Sequence, residues 1–196
     1  MIKLKAWRFD RRTGTPVLYD REIDEFAQAV LADYRPELLR KPGKISFEHF
    51  LESYLGVTVL YEDIYNDDPD KPIFGATAFR DGALKVFDRE NACVSKMPVL
   101  KNTVILDNFV MQADKEGLAL FTGLHEGGHI LIHGSVYDAL YDGQLELPDA
   151  DLPAVVCCRR SNVDSVMPIA REQWQKRCRH HRYSDRIGEV VCIAAQ

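Results

Sequence analysis

The run FTGLHEGGHILIHG, residues 121–134, limits what this chain can fold into more than any other stretch. Leu118, Phe121, His125, His129 and Ile132 recur at helical spacing, so residues 115–133 are expected to form one helix. Its glycines, at 117, 123, 127 and 128, each cost about 1 kcal/mol relative to alanine in a helix interior. Propensity alone therefore does not make this helix; tertiary packing or a bound metal must. Glycine also lets a neighbouring backbone or a substrate come close. Gly134 is placed to close the helix as its C-cap.

The same run carries chemistry. His125 and His129 are four residues apart, so on a helix both imidazoles point the same way and can meet one zinc ion. Glu126 follows the first histidine, where its carboxylate can take a proton from a metal-activated water and pass it to a leaving amine. This is the His-Glu-x-x-His arrangement of metallopeptidases. In a chain of this composition it arises by accident in roughly one sequence in a hundred, which makes a zinc site the working expectation. The blander reading is two histidines satisfied in a core and a glutamate on a solvated face. His133 repeats the four-residue step, but its Cα lies about 12 Å along the axis from that of His125, too far to share one tetrahedral ion. It is expected to act behind the ligands, toward a substrate, or as a cap.

Elsewhere the pattern alternates between helix and strand. Ile23, Phe26, Ala27, Val30, Leu31 and Tyr34 mark an amphipathic helix, and Pro36 ends or kinks it. Ser46 is placed to cap a second helix with Phe47, Phe50, Leu51, Tyr54 and Leu55 on one stripe. That pair does not suit a DNA reader, because FEHFLESYLG is acidic and aromatic, with no Arg, Lys, Gln or Asn to read base edges. The segments VTVLYED, IFGATAF, ALKVFD and NTVILD are expected to be strands, with Asp81-Gly82 as a two-residue hairpin turn. Asp67, Asp68 and Asp70 lack the spacing of a calcium loop and fit a solvated turn better.

The whole is expected to be α+β, one domain over residues 1–196, with 20–135 as its core. Residues 136–196 are expected to be irregular, with a divergent or truncated end. No apolar run approaches the length of a membrane span, and MIKLKAWRFDRRTG lacks the apolar core of a signal peptide. The five cysteines, Cys93, Cys157, Cys158, Cys178 and Cys192, show no framework spacing and suit a reducing compartment, so a cytoplasmic location is expected. Adjacent Cys157 and Cys158 do not suit one tetrahedral ion and fit buried strand-end residues better than a redox pair. The net charge of -5 argues against nucleic acid as the main partner. Residues 171–196 nevertheless carry six Lys/Arg against three Asp/Glu, which fits a solvated basic face better than a docking tail.

FTGLHEGGHILIHG resembles the active-site helix of the ImmA/IrrE metallo-endopeptidases. A helical pair, a GVTV strand, the IFGATAF and ALKVF segments and a last strand before the metal helix follow that family's order over roughly residues 23–135. The resemblance implies a zincin-like fold in a bacterial cytoplasmic protein, often tied to mobile elements or stress, that cleaves helix-turn-helix repressors. By position, His125 and His129 would be zinc ligands and Glu126 the general base. The family's third ligand, usually a glutamate, comes from a later helix. REQWQ, at residues 171–175, resembles the approach to that helix, but the run that should follow is absent. Glu189 and Glu172 are the leading stand-ins, ahead of Asp185, His180 and His181. Tyr137 and Tyr141 are possible oxyanion donors, with anchoring of a loop the simpler reading. A protein substrate is the expected partner. The competing reading is a non-catalytic binding protein that keeps the fold with an incomplete metal site.

Overall fold

A computed structural model describes residues 2–5, 8–10, 16–68, 72–141 and 154–159. The first long helix, α1, spans Asp20–Tyr34 and buries Ile23, Phe26, Ala27, Val30 and Leu31, the stripe its sequence spells out. The Tyr19 amide donates to Glu22 Oε2 at 2.6 Å, which satisfies one orphan N–H at the start. Acidic Asp20 and Glu22 in the first turn suit the positive end of the helix dipole. Pro36 ends the helix as expected and opens a 3-10 turn, Pro36–Leu39, that buries Leu38.

The second helix is wider than anticipated. A π-helical segment occupies His49–Leu55 and buries Phe50, Leu51 and Leu55. Ser46 caps the short α-helical turn at residues 47–48 that leads into it: its Oγ accepts the His49 amide at 3.1 Å. Gly56 closes it with φ +69°, a left-handed conformation that favours glycine. Tyr54 donates to Asp33 on α1 at 2.8 Å, and burial together with that bond pushes the Tyr54 phenol up to about 12.

A four-stranded sheet lies under these helices in the order β1-β5-β2-β6. Its strands are β1 Thr58–Glu62, β2 Ile73–Ala78, β5 Thr103–Asp107 and β6 Val155–Arg159; β1 runs parallel to β5, and the other neighbours are antiparallel. Alternation divides the sheet between two cores. Val104 and Leu106 join the helices on one face, while Ala76, Ala78 and Ile105 face a second layer. That layer is a hairpin of β3, Gly82–Asp88, and β4, Cys93–Val99. Residues 63–65 run along the free edge of β3, where Phe87 donates to the Asp63 carbonyl and Tyr65 to that of Lys85.

Two strand expectations need correction. Asp81-Gly82 does not join β2 to β3 as a hairpin, because both edges of β2 are taken, by β5 and β6. Asp81 instead accepts the Lys101 amide at 2.8 Å, a contact 20 residues away. The real hairpin joins β3 to β4, with Asp88 accepting the amides of Glu90 and Asn91 at its turn. The exposed strand β4, which includes Pro98, was not anticipated; on an edge, a proline need not supply a ladder N–H. Asp67 lies exposed and pairs with Lys85 Nζ at 3.2 Å, as a solvated turn would.

The metal-helix candidate, α2, spans Glu116–Tyr141. It runs through Gly134 rather than stopping there, so Gly134 is not a C-cap. Val136, four residues beyond Ile132, is buried and extends the apolar face by another turn. Residues 136–141 are therefore helical, and Val155–Arg159 forms a strand, where an irregular region was expected. The chain is α+β, and among the described residues no helix is long and apolar enough to cross a membrane.

Candidate metal centre

Helix α2 is buried on all sides over one stretch: every residue from Thr122 to His129 is inside. Its glycines make that possible. A Cβ on Gly123 would lie 2.5 Å from Phe47 Cδ2, and one on Gly127 would lie 3.0 Å from Phe50 Cε1. Phe47, just ahead of the π-helical segment, and Phe50 within it thus seat their rings in the places where α2 has no side chains. The glycines are expected to admit a backbone or a substrate; what comes close instead is side chains of the chain's own second helix.

On another side of α2, Glu126 faces β2. Its carboxylate Oε2 accepts a hydrogen bond from Thr77 Oγ1 at 2.5 Å, and the residue is wholly inaccessible to solvent. Gly75 lies beside it: a Cβ there would come within 2.7 Å of Glu126 Oε1 and 2.9 Å of the Thr122 methyl. Gly75 and Thr77 together form a cradle shaped for this carboxylate. Sequence reasoning missed both as site residues. The one local signal was a glycine inside an otherwise apolar strand, which often marks a close approach.

His125 and His129 are 3% and 7% exposed, and their Nε2 atoms stand 3.1 Å apart. Two imidazole nitrogens bound to one tetrahedral zinc at about 2.0–2.1 Å are separated by about 3.4 Å. The pair therefore needs to open by only a few tenths of an ångström to hold such an ion. Burial of a side-chain pair this polar is costly unless a hydrogen bond or a metal compensates it. His133 extends the row, its Nδ1 lying 3.0 Å from His129 Nδ1. It does not converge with the other two on a single point, as the helical rise requires.

Among the described residues, no three His, Cys, Asp or Glu side chains gather as a metal-holding group. The third-ligand candidates Glu189, Glu172, Asp185, His180 and His181 all lie outside the described residues, as do Cys178 and Cys192. Cys157 and Cys158 sit within β6, opposite Ala76 and Gly75, and Cys157 is half-buried. Tyr137 is helical, not in a loop, and stacks flat on Phe79 with centroids 4.0 Å apart. Eight residues beyond His129, it lies about 12 Å further along the helix, which fits an anchor and not an oxyanion donor. Burial raises its phenol pKa. The side chain of Tyr141 lies outside what is described.

Comparison of the chain with family models, with curated proteins and with solved structures gives no match. The functional reading rests on the geometry of α2 and on the resemblance of its motif.

Proposed function

We propose that this chain is a zinc-dependent endopeptidase with a zincin-like core of the ImmA/IrrE kind, hydrolysing a protein substrate in the bacterial cytoplasm. One observation carries the reading: two histidine Nε2 atoms converge to 3.1 Å beside a buried glutamate held from the neighbouring strand. The donor set suits zinc, since neutral imidazole nitrogens are among its preferred ligands. A third ligand is proposed from Glu189 or Glu172.

Zinc bound at this pair supplies Lewis-acid chemistry, lowering the pKa of water toward about 7 and polarising a carbonyl. The chain's residues do the rest. His125 and His129 hold the ion against one face of α2. Glu126 takes a proton from the attacking water and returns it to the leaving amine as the peptide bond breaks. Thr77, donating to Oε2, fixes the direction of the carboxylate from β2, so little reorganisation is needed when the proton moves. The packed glycine contacts keep α2 rigid under this chemistry. By the motif's resemblance, the substrate class is a helix-turn-helix repressor, whose cleavage would release the genes it silences.

The test is Glu126→Gln. Zinc content and folding should persist, while hydrolysis of the substrate protein falls by about 10²–10⁴-fold, the usual contribution of a general acid–base group. If the variant still relieves repression of a reporter as well as the wild type does, proteolysis is not the mechanism. A binding protein that retains the peptidase fold then becomes the better reading.

A further inference from the structure

We propose that His133 is a positioning residue that sets the tautomer of His129, an inference that rests on the zinc-site reading. Each ring nitrogen of His129 has a histidine neighbour: Nε2 faces His125 Nε2 at 3.1 Å, and Nδ1 faces His133 Nδ1 at 3.0 Å. A neutral imidazole carries one N–H, so the two contacts are not independent. When His129 donates from Nδ1 to His133, its Nε2 presents a lone pair on the side where His125 converges. When the proton sits on Nε2 instead, that side is closed to a metal ion. A histidine that ligates through one nitrogen generally donates from the other, and the acceptor fixes both the ring's angle and its tautomer.

The placement favours this role over ligation. His133 lies one turn beyond His129 on α2 and is half-buried, while His129 is 7% exposed. The His129 and His133 rings are inclined at 38° with centroids 5.2 Å apart, and the His125 and His129 rings stand nearly perpendicular, at 84°. The second ring thus bridges two neighbours in different directions, one through each nitrogen. An acceptor at the position of His133 Nδ1 is what the arrangement requires. An asparagine carboxamide oxygen can occupy nearly the same place; a leucine methyl fills the volume without accepting.

The experiment measures zinc dissociation constants by chelator competition for four full-length chains: wild type, His125→Ala, His133→Leu and His133→Asn. The expected order is wild type and His133→Asn within a few-fold of each other, His133→Leu about 10–100-fold weaker, and His125→Ala without measurable binding. Wild-type affinity in His125→Ala would sink the zinc-site reading itself. Loss in His125→Ala with wild-type affinity in His133→Leu would overturn only the positioning role. Nitrogen-15 correlation spectra of the metal-free wild type provide a second readout that does not depend on how the variants fold. They should show the His129 proton on Nδ1; a His129 proton on Nε2 contradicts the proposal.

Discussion

Helices α1 and α2 reach stability by different routes. Helix α1 buries one stripe, Ile23, Phe26, Ala27, Val30 and Leu31, and shows its other face to water. Helix α2 has no solvent face from Thr122 to His129 and spends much of that buried stretch on glycine, histidine and glutamate. The first is stabilised by apolar area it carries in its own sequence. The second is stabilised by what its neighbours bring: the rings of Phe47 and Phe50 against its glycines, and a hydroxyl from β2 against its carboxylate. A helix of poor propensity enclosed on all sides is a scaffold for a site, because its polar groups are fixed by contacts instead of solvated.

The largest expected effect comes from removing the ring that joins the helical layers. Phe50, 1% exposed, stacks on Tyr54, meets Tyr34 of α1 edge-on and lies against Gly127 of α2. Phe50→Ala should cost about 3–5 kcal/mol in a denaturant titration. A loss below about 1 kcal/mol would mean that α2 does not depend on this packing.

Two glycine substitutions sharpen the contrast, since they should act in opposite directions. Alanine is the better helix former by about 1 kcal/mol at either position. At Gly123 the added methyl would meet the Phe47 ring at 2.5 Å, so Gly123→Ala should lose about 1–3 kcal/mol despite its propensity. At Gly134 nothing lies within 4 Å of the added Cβ, so Gly134→Ala should gain about 0.5–1 kcal/mol. Were Gly134 a left-handed cap, the same change would destabilise. Thermal melts of both variants decide the matter.

The asymmetry between the helices also governs what the sequence makes visible. Helix α1, the Ser46 cap and the strands β1, β2, β3 and β5 follow from local patterns, and each lies close to its expected place. The extent of α2 does not, because Gly134 looks like a stop and the reasons to continue are distant: the core that buries Val136 and the Phe79 ring under Tyr137. The false hairpin at Asp81-Gly82 has the same origin. A sound two-residue turn signal lost to pairing between β2 and β6, whose residues lie some 80 positions apart in sequence. Within the site, His125, Glu126 and His129 are legible because helical spacing alone brings them together. Thr77 and Gly75 are not, since 49 residues separate Thr77 from the carboxylate it holds.

The smallest effect expected is a titration at the seam between α1 and the π-helical segment. The Tyr54 phenol is held up to about 12 by burial and by its bond to Asp33. The folded state therefore favours the protonated phenol. That contribution is present below pH 10, the group's ordinary pKa, and is lost as pH rises through about 12. Ultraviolet titration should show a late-ionising phase whose amplitude falls by one tyrosine in Tyr54→Phe. If the amplitude of that phase is the same in the variant, the seam is not closed by this bond.

Zinc per chain is the most direct measurement, made on protein purified without added metal beside His125→Ala. About one equivalent in the wild type, lost in the variant with the fold intact, is the predicted result. Zinc absent from the wild type, or retained undiminished in His125→Ala, would contradict a metal centre on α2.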